Sequence, residues 1–237
     1  MTSTVRTALI SAAVALVFGF GGAALWSATG LGDRQTRAYL LENPELLEEM
    51  VSALQAKQGQ ERLADVASQV YSPFPGAIMG NPNGTTLLVE FTDYNCGYCE
   101  ASLPDVTRLI AENPDLKVVL REIPNFPGSQ EAARMALAAA MQGKYREFHD
   151  AMFRNGPANA ESAERVAQTI GLDMEQARMD AASDAVTAEL ARNVALSQAL
   201  GFEGTPGWIV GDTLVNGYVG YERMQKALDE AGPALGS

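Results

Sequence analysis

Thr86-Leu87-Leu88-Val89-Glu90-Phe91-Thr92 runs directly into Asp93-Tyr94-Asn95-Cys96-Gly97-Tyr98-Cys99. The first part is an apolar, strand-like run, and a helix is expected to begin at the cysteines that follow. The chain holds 2 cysteines, and both lie in this Cys-x-x-Cys pair. At that spacing on a helix the Cα atoms are about 5 to 5.5 Å apart, inside the range a disulfide accepts. As a staple such a bridge is weak. Closing a four-residue loop is worth roughly 2 kcal/mol, against about 4.7 for a 100-residue loop. A pair that takes all the cysteine and stabilises so little points to redox chemistry rather than architecture.

The 237 residues, 47% of them hydrophobic, can bury one substantial core. A net charge of −12 argues against a nucleic-acid surface, which needs clustered Lys and Arg. At the amino terminus, Arg6 precedes an uncharged stretch from Thr7 to Gly32 that is rich in Ala, Leu, Val, Phe and Gly. This is the pattern of an export signal. The same stretch approaches the roughly 20 residues that span a bilayer. Residues 1–32 therefore read as a cleaved signal peptide or a retained anchor. Either places the remainder in an oxidising compartment, where a Cys-x-x-Cys can cycle between dithiol and disulfide.

From Asp33 to about Tyr71 the pattern is helical and charged. Asn43-Pro44 reads as an N-cap and first helical residue. Leu47, Met50, Val51 and Leu54 recur at helical spacing, as do Leu63, Val66 and Val70. This face can pack on its own domain or on a second copy; periodicity leaves both open. The Pro/Gly break at Tyr71-Ser72-Pro73-Phe74-Pro75-Gly76 is the expected domain boundary, dividing 33–72 from 73–237.

Beyond it, a strand over 85–92 precedes the helix, which runs from the cysteines to about Glu112 with Pro104 kinking it. Leu116 to Ile123 reads as a second strand. A long helical tract over about 129–200 follows, with Ser129 as its candidate cap and breaks near Gly143, Gly156-Pro157 and Gly171. Trp208-Ile209-Val210 and Thr213-Leu214-Val215 form a hairpin around Gly211-Asp212, and a helix closes the chain from Tyr221 to Ala231. The order β-β-α-β, helices, β-β-α describes one α/β domain interrupted by a helical insertion.

A thiol at a helix N-terminus meets unpaired N–H groups and the positive end of the helix dipole, both of which favour thiolate. Cys96 is therefore expected to attack and Cys99, a turn deeper, to resolve. Zinc would need about four ligands, and the rest of the chain supplies 1 histidine, His149. Copper(I) held by the two thiolates, and an inert disulfide, remain as rivals. On the helical pattern with Tyr145, Phe148 and Met152, His149 reads as a structural residue. Arg121-Glu122 reads as a local ion pair without a catalytic role.

The segment Val89 to Cys99 resembles the active site of DsbA-like thiol-disulfide oxidoreductases of the thioredoxin superfamily. The resemblance covers about residues 75–235. It includes Pro104, Gln142-Gly143-Lys144-Tyr145 with Phe148-His149, and Gly204-Thr205-Pro206. It is greatest to the ScsC-type branch, whose extra N-terminal helical segment is similar to Tyr39-Leu40-Leu41-Glu42-Asn43-Pro44-Glu45 and serves oligomerisation in some members. The resemblance implies a thioredoxin-like fold with a helical insertion, preceded by an N-terminal helical segment. It also implies that Glu90 is a buried acid beneath the cysteines. Strand alternation puts Glu90 on the face of Thr92 and opposite Val89 and Phe91. Burial would raise its pKa and let it exchange a proton with Cys99. Thr205-Pro206 corresponds to a cis-proline loop facing the cysteines, where Thr205 backbone groups would hold an extended partner chain.

Between the cysteines, strong oxidases of the family often carry Pro-His, whereas Gly97-Tyr98 is the dipeptide of disulfide isomerases in the same superfamily. That favours a less oxidising couple. The implied protein is an exported, periplasmic thiol-disulfide oxidoreductase that needs no cofactor. Its partners would be cysteine-containing exported proteins, a membrane redox partner that resets the Cys-x-x-Cys and, through residues 33–72, a second copy of itself. Oxidase and isomerase directions both stay open. The rivals from other classes are a copper(I)-binding module and a non-catalytic oligomeric scaffold.

Overall fold

The structure, a computed structural model, describes residues 3–231. The chain divides into two compact units, one ending at Gln55 and one beginning at Ala56. In the first, α1 (Ser3–Thr29) contains Val5–Trp26, a 22-residue stretch of mean hydropathy 2.2 that is long and apolar enough to cross a membrane. It is followed by α2 (Leu31–Glu42) and the beginning of α3 (Glu45–Val70). Asn43 closes α2 instead of opening the next helix. Its backbone N–H and its side-chain amide both donate to Tyr39 O, at 3.0 and 2.7 Å, so the residue satisfies a carbonyl that the helix end would leave unpaired. Leu47, Met50, Val51 and Leu54 are exposed.

The second unit begins within α3 and continues through β1 (Ile78–Gly80), β2 (Thr86–Thr92), α4 (Gly97–Glu112) and β3 (Leu116–Glu122). The insertion supplies α5 (Ser129–Met141), α6 (Tyr145–Arg154), α7 (Ala160–Thr169), α8 (Met174–Ala181) and α9 (Asp184–Leu200). Then come β4 (Gly207–Val210), β5 (Thr213–Asn216) and α10 (Tyr221–Ala231). The sheet order is β1-β3-β2-β4-β5; β2 and β3 are parallel and the other neighbouring pairs antiparallel.

Period-two alternation sorts the strand residues onto two faces. Leu88, Val118, Leu120, Trp208 and Val210 join the core built with α4, α5 and α10. Val89, Phe91, Val119, Ile123 and Ile209 face the other way, against Leu63 and Val70 of α3 and Leu196 and Leu200 of α9. The same alternation separates Arg121 from Glu122, so the local ion pair expected from their adjacency does not form. Arg121 instead pairs with Glu189 of α9 at 2.7 Å and donates to Gln69 O, Val70 O and Ser72 O. The compact unit accordingly starts ahead of the Pro/Gly break at 71–76. The second half of α3 is core, and Arg121 clamps the chain as it enters the break.

The helix at the cysteines has the expected span, with Pro104 inside it. Ser129 is not a cap. Gly128, with φ of +85°, makes the turn into α5, and Ser129 Oγ donates to the buried Asp93 carboxylate at 2.5 Å, a stronger acceptor than a helix end offers a donor. The helical tract carries a further break at Ser183, whose hydroxyl accepts from Val186 N–H and caps α9.

Candidate active site

Cys96 occupies the N-cap of α4 with extended backbone angles (φ −90°, ψ 113°). Both cysteines are free thiols. Cys96 is 5% exposed and Cys99 is fully buried one turn deeper, which orders the two sulfurs by access. Tyr98 between them projects outward at 67% exposure, and no atom crowds the position a Cβ on Gly97 would take.

The Thr205-Pro206 bond is cis, and the Cys96 thiol donates to Thr205 O at 3.1 Å. Strand pairing of β4 with β2, in the register Phe91 to Gly207 and Glu90 to Trp208, carries this loop over the start of α4. A groove of about 340 Å³ opens beside it, lined by Ile123, Phe126, Val194, Phe202 and Thr205 among others. A second cis bond, Gly156-Pro157, lies in the insertion.

Glu90 lies on the cysteine side of β2, buried, with neither carboxylate oxygen hydrogen-bonded. Its pKa is pushed up to about 8, first by burial and then by the negative charge of Glu122; the nearby Thr92 hydroxyl, short of a hydrogen bond, opposes this weakly. Cys99 rises well above the ordinary thiol range, through burial first and the negative field of Glu90 second. Glu90 and Cys99 are thus both buried and electrostatically linked.

The structure adds residues that sequence reasoning passed over. Glu122 is fully buried on the same face as Glu90, one residue pair along the parallel ladder (Glu90 opposite Leu120, Thr92 opposite Glu122). Its Oε1 accepts from Tyr145 Oη at 2.6 Å and Tyr94 Oη at 2.8 Å, while Oε2 has no partner. Burial raises Glu122 to about 8 against the pull of those two phenols. His149 stacks on Tyr145, meets Tyr94 and Phe153 edge-on and contacts Tyr94 Oη through Nδ1 at 3.2 Å. Burial depresses its pKa to about 3, so the imidazole is neutral packing near neutral pH. Asp93 holds the approach to Cys96. Its carboxylate accepts from Asn95 N–H, Asn125 N–H, Phe126 N–H and Ser129 Oγ. Asn95 in turn bonds Ala158 in both directions, tying the cysteine loop to the insertion. Inward strand parity at Glu122 was the available signal, masked by its neighbour Arg121.

A mixed sheet, a Cys-x-x-Cys at a helix start, a cis-proline loop against it and a helical insertion together define a thioredoxin-type fold with a dithiol site. The chain belongs to the DSBA-like thioredoxin domain family, whose model matches residues 87–229, and residues 35–61 match the copper resistance protein ScsC N-terminal domain. A thioredoxin-like oxidoreductase from Silicibacter pomeroyi DSS-3 is 45% identical with a TM-score of 0.63, over 65% of this chain and 90% of that one. ScsC of Proteus mirabilis is 26% identical with a TM-score of 0.66, over 86% and 97%. A Na(+)/H(+) antiporter NhaA from Herminiimonas arsenicoxydans is 30% identical over 80% of this chain but only 32% of its own length. The chain thus spans about a third or less of the curated relatives it matches.

Proposed function

We propose that the protein is an exported thiol-disulfide oxidoreductase that exchanges disulfides with cysteines of envelope proteins. The observation that carries this is the ordering of the two thiols: Cys96 at the helix start facing Thr205 O, and Cys99 buried over Glu90. Cys96 forms the mixed disulfide with a partner cysteine. Cys99 resolves it by displacing the partner's sulfur from Cys96. Glu90 takes the Cys99 proton in that step and returns it in the reverse step. Thr205 and Pro206 hold the partner chain as a short added strand, with Gly97 and Tyr98 beneath it.

The apolar Val5–Trp26 helix supports export to the periplasm, by a cleaved signal or with the helix retained in the inner membrane. A membrane redox partner resets the Cys-x-x-Cys. The exposed apolar residues of residues 33–55 support a homo-oligomer. Gly97-Tyr98 and several dithiols in one assembly favour isomerisation over dedicated oxidation.

Replacing Cys99 with Ser tests the reading. Disulfide-linked protein partners are expected to accumulate through Cys96 and to vanish in the C96S/C99S double variant. Failure to trap any partner from an envelope extract overturns it. The second reading, copper(I) held by the two thiols, draws on the copper resistance description of the match to residues 35–61. Stoichiometric copper(I) binding without dithiol turnover would favour it.

A further inference from the structure

Two buried carboxyls sit on neighbouring parallel strands and on the face that carries the cysteines, and only one has donors. Glu122 receives two phenolic O–H groups on Oε1; Glu90 receives none. Hydrogen bonds to a carboxylate favour its charged form, and a like charge nearby disfavours ionisation of its neighbour. When the pair carries one negative charge, that charge resides on Glu122 and the proton on Glu90. Two carboxyls coupled in this way titrate as a pair.

We propose that Glu122 is a positioning residue for the dithiol: held by Tyr94 and Tyr145, its charge keeps the proton on Glu90 and so governs when Cys99 can lose or receive one. This rests on Glu90 being the proton carrier for Cys99. When a partner thiolate attacks Cys96 Sγ of the Cys96–Cys99 disulfide, the S–S bond breaks and its electron pair passes to Cys99 Sγ. The Glu90 carboxyl then protonates that sulfur. In the opposite direction the Cys99 thiol gives its proton to the Glu90 carboxylate, its sulfur bonds to Cys96 Sγ, and the partner leaves as thiolate. A charged Glu122 keeps Glu90 in the protonated form the first step draws on and lowers the fraction of Glu90 carboxylate available to the second. The mixed disulfide on Cys96 then persists long enough for another cysteine of the partner to attack it, which is what isomerisation requires.

The titratable groups facing this pair come from α4, α6 and the loop after β2. Cys99 of α4 faces Glu90; Tyr145 of α6 and Tyr94 and Asp93 of the loop after β2 face Glu122. His149 touches Tyr94 but is held neutral, with Arg146 among the causes. Among these, the negative charge of Glu122 is the one that raises Glu90.

The test uses the reduced full chain and dithiobis-nitrobenzoate, which releases one thionitrobenzoate when Cys96 attacks it and a second when Cys99 displaces the mixed disulfide. The pH dependence of the second release is followed, with the first as reference. Glu122→Gln keeps an acceptor oxygen for both phenols and removes the charge. It is expected to move the midpoint of the second release down by about one pH unit, roughly a tenfold faster release on the acid limb. Tyr145→Phe weakens the hold on the Glu122 charge and is expected to shift the midpoint the same way by less. Glu90→Gln is expected to abolish the midpoint. Wild-type midpoints in both E122Q and Y145F, with E90Q flat, overturn the role of Glu122 and leave the proton role of Glu90 intact. A wild-type midpoint in E90Q instead overturns the proton role itself. Should E122Q not fold, Y145F and Tyr94→Phe decide the question.

Discussion

Arg121 Nη1 donates to Glu189 Oε1 at 2.7 Å across the face of the sheet that lies away from the cysteines. The guanidinium also donates to Asn193 Oδ1 and to three carbonyls from the end of α3 and the turn after it. One side chain therefore pins α3, β3 and α9 together. Removing the guanidinium leaves Glu189 Oε1 and several carbonyls without their donor, with Arg192 still bonded to Glu189 Oε2, and breaking such a buried pair costs about 3–5 kcal/mol. Arg121→Met is expected to lower the urea midpoint accordingly. Arg121→Lys is expected to recover only part of the loss, because an ammonium cannot reproduce the planar fork. A midpoint within experimental error of wild type for R121M would refute the clamp.

The buried titratable groups set a pH window for stability. Glu90 and Glu122 have folded-state pKa values raised to about 8 from 4.5, so between those values the folded chain holds protons that the unfolded chain has lost. Stability then falls as pH rises from about 4.5 to 8. His149 is depressed to about 3 from 6.5, so it withholds stability as pH falls below 6.5. Denaturant titrations are expected to place the maximum between about pH 4.5 and 6.5. Glu122→Gln should stabilise the protein at pH 8, by about 2 kcal/mol, and change little at pH 4.5. Equal effects at both pH values would contradict the assignment.

Access orders the thiols. Cys96 is 5% exposed, whereas Cys99 is fully buried with its pKa raised by burial and by Glu90. Brief treatment of the reduced protein with iodoacetamide at pH 7, read by peptide mass spectrometry, is expected to label Cys96 at least about tenfold faster than Cys99, because only thiolate reacts. Comparable labelling would show that the ordering does not hold in solution.

Helix α3 changes role along its length. Leu63 is 3% exposed and packs into the core with Val89, Phe91 and Ile209; Leu47 is 67% exposed. Leu63→Ala is expected to cost about 2–4 kcal/mol in chemical unfolding. Leu47→Ala should change the unfolding midpoint by less than about 0.5 kcal/mol. If residues 33–55 form the proposed homo-oligomer, Leu47→Ala should weaken self-association in sedimentation runs while leaving the fold unchanged.

Much of the fold was legible along the chain because it depends on neighbours in sequence. Short apolar runs mark β2 and β3, Gly211-Asp212 marks the closing hairpin, and the two cysteines mark the start of α4. The errors arose where a local rule met a distant partner. Asn43 and Ser129 have the chemistry of helix caps, yet one closes the preceding helix and the other bonds to Asp93. Arg121 and Glu122 looked like a pair because they are adjacent, but neighbours on a strand point to opposite faces.

Cys96 and Cys99 are legible in the sequence because their spacing is local, a strand leading into a helix of fixed pitch; the acid role of Glu90, six residues before Cys96, comes from the family resemblance, with strand alternation giving only its face. The expectation for Thr205-Pro206 rested on family likeness, and only the pairing of β4 with β2 brings Thr205 O to 3.1 Å from Cys96. Tertiary structure alone placed Glu122 among Tyr94, Tyr145 and Glu90. Those four come from two parallel strands, a loop and an inserted helix. Whether a carboxyl there is charged depends on burial and on donors brought from all of them, which no local pattern encodes.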